Sequence, residues 1–129
     1  MIPPDMEKAF RAVVQDIDSA TLRALRRALK SNDTSVISGE TIFPLADERK
    51  PELATACCPL AWLMWKGGEY SYVLEGKWAA LYCRGVARVG DAAMIGLIAW
   101  IDAGPRKQVW AALVKMLDTI LRERNHVAA

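Results

Sequence analysis

The sequence has little of what catalysis or metal binding needs. Its single histidine, His126, falls in the tail 125–129, which we expect to be frayed and unable to hold a general base or a metal ligand in fixed geometry. No GxGxxG or Walker A pattern occurs, and neither does a CxxC pair or a His/Cys cluster at zinc spacing. We therefore expect no catalytic site, no metal and no cofactor, and a protein that works by binding.

Cysteine is also scarce, and its placement excludes a disulfide framework. Cys57 and Cys58 are adjacent, a geometry that strains a disulfide between them, and Cys83 stands alone. We read all three as reduced, buried thiols of a cytosolic protein. The adjacent pair is predicted to lie in an apolar helix, where burial makes a thiol inert.

The sequence also lacks a long apolar run. The N-terminus has no basic flank and apolar core of a signal peptide, and the most apolar stretch, 54–65, is shorter than the about 20 residues that span a bilayer. The sequence therefore predicts a cytoplasmic protein without a membrane partner.

What the sequence does have is the composition of a globular domain, with 53% hydrophobic and 25% charged residues. Apolar residues at helical spacing predict one all-α domain over 1–129, a compact bundle of five to six helices. Proline, glycine and capping residues place the predicted helices at about 4–17, 18–30, 51–66, 69–89, 91–103 and 105–124. The third is apolar nearly all round and is expected to kink or divide at Pro59.

The stretch 31–50 has no regular pattern, and we predict an irregular loop there. The pairs at 36–37 and 42–43 are expected to be short extended pieces that hold it to the core. Loops this long are often functional. The five tryptophans lie beside apolar stripes, so we assign them to the core or to a protein interface, with base stacking as the alternative.

Positive charge is concentrated on one predicted helix. Arg23, Arg26, Arg27 and Lys30 fall within about 100° of its surface, beside a leucine stripe and without an intervening acid. Such a face can lie along a phosphate backbone. The alternative is an ordinary solvated helix face.

Two further basic sets are weaker. Lys77, Arg84 and Arg88 form a narrow stripe on a later helix. Arg106 and Lys107 are predicted at a helix N-terminus, where the helix dipole disfavours cations, so their placement suggests an anionic partner.

Three passages resemble a known family. The first is the leucine–arginine helix 22–29; the second is the irregular segment after it, which reaches Ile-Phe-Pro-Leu at 42–45 before an apolar helix. The third is Met-Ile-Gly-Leu-Ile-Ala-Trp-Ile-Asp-Ala-Gly at 94–104, followed by Val-Trp-Ala-Ala-Leu-Val-Lys-Met-Leu at 109–117. Together they resemble the small subunit of class 1 CRISPR effector complexes, most nearly the helical small subunit of type I Cascade.

The resemblance implies a non-enzymatic subunit of a ribonucleoprotein surveillance complex. It would bind neighbouring subunits, including a second copy of itself, and hold displaced single-stranded DNA or guide RNA, stabilising the R-loop. It implies phosphate contacts at Arg23, Arg26, Arg27 and Lys30, followed by Lys77, Arg84 and Arg88. The short C-terminus leaves type III and type IV complexes open as well.

Two other readings stay open from the residues. One is a helical protein-interaction module, such as an adaptor or a phage-encoded inhibitor, whose basic stripe meets an acidic protein. The other is a small enzyme, which would need a pocket with paired carboxylates that the sequence does not announce.

Overall fold

The computed structural model describes residues 2–45, 47, 49–65 and 67–128. Within them lie six helices and a sheet of two short strands, which confirms the predicted mostly helical fold. The elements are α1 (Pro4–Val14), α2 (Ser19–Lys30), β1 (Ile42–Phe43), β2 (Ala56–Cys57), α3 (Pro59–Trp62), α4 (Ser71–Val89), α5 (Asp91–Ala103) and α6 (Arg106–Ala128). None of these helices has both the length and the apolar character needed to cross a bilayer.

The first two helices begin where the sequence predicts. Pro4 is the first helical residue of α1, where its missing N–H would have no intrahelical partner in any case. Asp18 caps α2 by accepting a hydrogen bond from the backbone N–H of Thr21 at 3.0 Å. Both helices send an apolar face into the core, which includes Phe10 and Leu25.

The helix predicted from residue 51 is wrong over its first half. Residues 51–58 contain no helix: β2 pairs antiparallel with β1, and Leu53 bridges to Tyr70. Pro59 does not kink a helix but opens the four-residue α3, and Cys58 before it is extended, as residues preceding proline tend to be. A strand buried on both faces gives the same continuous apolar run as a buried helix, which explains the error.

The irregular segment after α2 is held as predicted. Val36 bridges to Cys57, and Ile42 and Phe43 form β1. The sheet thus joins the segment to the apolar residues around α3.

The later helices follow the predicted breaks closely. Gly90 separates α4 from α5, and α6 starts just after Gly104 and Pro105. Helix α6 continues to Ala128, and Ala129 lies outside the described residues. The fraying predicted for 125–129 stays a prediction.

Helix packing places the N-terminal half of the chain on the C-terminal half. Helix α1 packs against α4 and α5, while α2 packs along α6. Arg124, late in α6, contacts Ser19 at the start of α2, and Lys107, early in α6, lines a groove with Lys30 at its end. The two helices are therefore antiparallel.

Candidate nucleic-acid interface

The predicted basic face of α2 lies on its solvent side. Leucines of α2 are buried, whereas Arg23, Arg27 and Lys30 are exposed. None of these three makes an ion pair within the described part of the chain. They are available to an anionic partner in this arrangement.

Arg26 differs from the other three. Its Nε donates to Oδ1 of Asp118 on α6, and its side chain is one-third exposed. Arg26 is therefore neutralised although no acid lies within the run 21–30 itself. The neutralising carboxylate comes from 92 residues further along the chain, so no local spacing rule could have found it.

The second predicted stripe is occupied by internal contacts. Arg88 donates to Asp16 and to the carbonyl of Ala12 at 2.8 Å, and Arg84 lies 3.9 Å from the same carboxylate. The hydrogen bond from Arg88 holds the pKa of Asp16 below its ordinary value. Two arginines of the stripe thus join α4 to the end of α1.

Lys77, the third member of the stripe, donates to Oε1 of Glu69. All three cations of the stripe therefore have a carboxylate partner within the chain, which gives their charges a structural role. The phosphate contacts expected of Lys77, Arg84 and Arg88 stay a prediction.

The structure brings Arg106 and Lys107 next to the basic face of α2, which their sequence context does not indicate. Both are exposed, and the packing of α6 on α2 brings them to the same groove as Lys30. Neither makes an ion pair among the described residues. The basic surface consists of five exposed cations: Arg23, Arg27, Lys30, Arg106 and Lys107.

Arg106 is fixed by contacts on several sides. Its Nη2 donates to the carbonyl of Val36 at 3.1 Å and to Oδ1 of Asn32 at 3.4 Å. Its guanidinium carbon lies 4.9 Å from the ring centroid of Trp110, a cation–π distance. An exposed arginine with this many contacts loses less side-chain entropy on binding than a free one.

A groove of about 810 Å³ separates the end of α2 from the start of α6. We name it the α2–α6 groove. Its charged members are all cationic, and its apolar wall comes from both helices. The lining residues are Leu29, Lys30, Asn32, Arg106, Lys107, Trp110, Ala111 and Val114.

Two of the three cysteines are buried, as predicted. Cys57 and Cys58 lie in β2 and at the cap of α3 rather than in the predicted helix, and burial raises the pKa of the Cys58 thiol to about 11. Cys83 is exposed on α4, so the burial predicted for it is wrong. His126 is exposed on the last turns of α6. In the described ranges no three His, Cys, Asp or Glu side chains are grouped so as to hold a metal ion.

The tryptophans lie against the core, in line with their predicted packing role. Trp110 is buried, and the other four are partly buried. Trp110 alone also lines the α2–α6 groove.

The fold and this surface define the chain as a small, mostly helical protein with a cationic groove. No protein-family model matches it, and neither a curated protein nor a solved structure is detectably similar. Its function must therefore be argued from the surface itself.

Proposed function

We propose that the protein is a non-catalytic subunit of a nucleic-acid–protein complex that holds the backbone of a single strand. The observation that carries the proposal is the basic surface: five cations from α2 and α6 without an ion pair in the described part of the chain. A phosphate backbone is the extended anion that such a surface fits.

The mechanism is electrostatic. Exposed arginines and lysines contact phosphates and release condensed counterions, which gives affinity without reading the bases. Binding is then tolerant of sequence and weakens steeply as salt is added. For a single strand, log K falls by about 0.7 per phosphate contact for each unit of log salt concentration.

The setting we propose is a CRISPR ribonucleoprotein, in the role of its small subunit. The resemblance of 22–29, 42–45 and 94–117 to that family supports it, and the basic surface suits displaced target DNA or guide RNA. Contacts with neighbouring subunits or a second copy would use exposed apolar residues, such as Phe43 and Leu45, of which 49% and 80% is exposed.

The test compares two charge-neutralised variants of equal net charge. Arg23→Gln/Arg27→Gln removes two cations of the basic surface, and Lys8→Gln/Lys50→Gln removes two exposed cations elsewhere. Affinity for a fluorescent single-stranded oligonucleotide is measured by anisotropy at several salt concentrations. We expect the first variant to lose about tenfold in affinity and to show a shallower salt slope, while the control stays near wild type.

Equal losses in both variants would show that net charge alone matters and would contradict this surface. The setting is tested separately by purifying the tagged protein from its native cells. Recovery of repeat-derived guide RNA supports the CRISPR proposal, and recovery of unrelated nucleic acid contradicts it.

A protein-interaction module is the second candidate, favoured by one observation. Tyr70 and Tyr72 are exposed and stack at 5.7 Å between ring centroids, close to exposed Leu53, which bridges to Tyr70. Tyrosine is enriched at protein interfaces. A stable complex with one protein partner and no nucleic acid, recovered in the same purification, would favour this candidate.

A further inference from the structure

Resting on the proposed nucleic-acid role, we propose that the α2–α6 groove is a slot for one nucleobase of the bound strand. The base lies in the groove against Arg106 and the apolar wall, while the flanking phosphates lie on Lys30 and Lys107. The slot adds a base-dependent, sequence-tolerant contact to an otherwise electrostatic surface.

The composition of the groove points to an aromatic anion rather than to phosphate alone. A backbone phosphate needs cations, and Lys30 and Lys107 supply them. A phosphate gains nothing from contact with an apolar wall, yet Leu29 of α2 and Val114 of α6 line the same groove. A nucleotide combines both requirements, because its base is a flat, weakly polar ring and its phosphate carries the charge.

Arg106 is positioned to receive the base. Trp110 supports one side of its guanidinium, and the bonds to Val36 and Asn32 fix its direction. A planar guanidinium held in this way can stack on a base. Oδ1 of Asn32 accepts from Arg106, which leaves the amide NH₂ of Asn32 to donate to a base edge.

The size of the groove allows this assignment. Its volume of about 810 Å³ lies within the range of about 300–1,000 Å³ that is usual for small-molecule sites, which is ample for one base.

The experiment uses two strands of equal length and charge. One is an oligodeoxythymidylate, and the other is the same sugar–phosphate chain without bases. The slot predicts that wild-type protein binds the base-bearing strand about tenfold more tightly, the order expected for one stacked base.

Three variants locate the effect. Ala111→Leu fills the groove without changing charge, and Arg106→Lys keeps the charge but removes the planar group; both should bring the affinity ratio of the two strands close to one. Ala79→Leu adds the same side chain at an exposed position of α4 and should leave the ratio unchanged. Circular dichroism checks that each variant is folded.

The outcomes separate the two proposals. If wild type binds both strands equally and in a salt-sensitive way, the slot is overturned and the electrostatic role stands. If it binds neither strand, both proposals fail. If Ala111→Leu and Arg106→Lys weaken both strands by the same factor, the groove is only part of the phosphate path and the slot is overturned.

Discussion

Arg124 shows how one side chain can join three helices. It donates to the carbonyls of Ile17 at 2.6 Å and Val14 at 3.0 Å, and to the hydroxyl of Ser19 at 3.2 Å. The carbonyl of Val14 also accepts from the backbone N–H of Ile17 at 3.0 Å, and a cation near the end of α1 is favoured by the helix dipole. The sequence offers no sign of this role, because more than a hundred residues separate Arg124 from its partners.

Arg124→Gln should lower the free energy of unfolding by about 1–3 kcal/mol, because it leaves the carbonyl of buried Ile17 without the Arg124 donor. Urea denaturation measures the change. The matched control is Arg122→Gln on the same helix, at an exposed position. A surface substitution of this kind should stay within about 0.5 kcal/mol of wild type. Equal effects of the two changes would contradict the role of Arg124.

Asp16 gives the contact between α1 and α4 a dependence on pH. Arg88 lowers its folded-state pKa below the ordinary 3.8, so the stabilisation is present above that value and is lost as pH falls through the folded pKa. We expect Asp16→Asn to lower the Tm at about pH 6, and the difference from wild type to shrink towards about pH 2. Thermal melts followed by circular dichroism measure both. A difference that stays constant with pH would contradict the ion pair.

Among the elements, α4 contains two glycines with opposite meanings. A Cβ added at Gly85 would lie 2.5 Å from Sδ of Met94 on α5 and 3.2 Å from Cγ2 of Val13 on α1. A Cβ at Gly76 would meet nothing within 4 Å. Close helix packing therefore requires glycine at position 85 and not at position 76.

Gly76→Ala should therefore raise the free energy of unfolding by up to about 1 kcal/mol, because alanine is the better helix former and finds open space. Gly85→Leu should lower it by about 1–3 kcal/mol, because the larger side chain overfills a packed contact. Chemical denaturation of the two variants measures both changes in the free energy of unfolding. A stabilising Gly85→Leu would refute the close approach of α4 and α5.

How far an element can be predicted depends on what marks its ends. The start of α1 at Pro4 and the cap of α2 at Asp18 are local signals, and the structure confirms them. The segment 51–58 has no such signal for its strand. Its state depends on pairing with β1 and on the bridge to Tyr70, contacts that a local pattern does not contain.

For the molecule as a whole, local sequence predicts the basic face of α2 but not the tertiary contacts of its charges. The face of α2 could be found from helical spacing, because its cations and leucines alternate with the helix period. The neutralisation of Arg26 by Asp118, and the joining of Arg106 to Lys30, depend on α2 and α6 packing antiparallel. That arrangement exists only in the tertiary structure. The basic residues could therefore be identified from the sequence, but the groove that they form could not.

Arg106 also joins the groove to the small sheet, and it lines a second pocket together with Phe43. It bonds to Val36, and the neighbouring Ile37 and Ser35 exchange backbone hydrogen bonds with Cys57 of β2. That small sheet carries the exposed Phe43 on its other strand. If strand binding displaces Arg106 and a partner covers Phe43, this chain of contacts can couple the two events, and any such coupling is reciprocal: each occupant would alter the affinity of the other by the same factor. A nucleic-acid strand bound in the groove would then change the affinity for neighbouring subunits, and assembly would change the affinity for the strand.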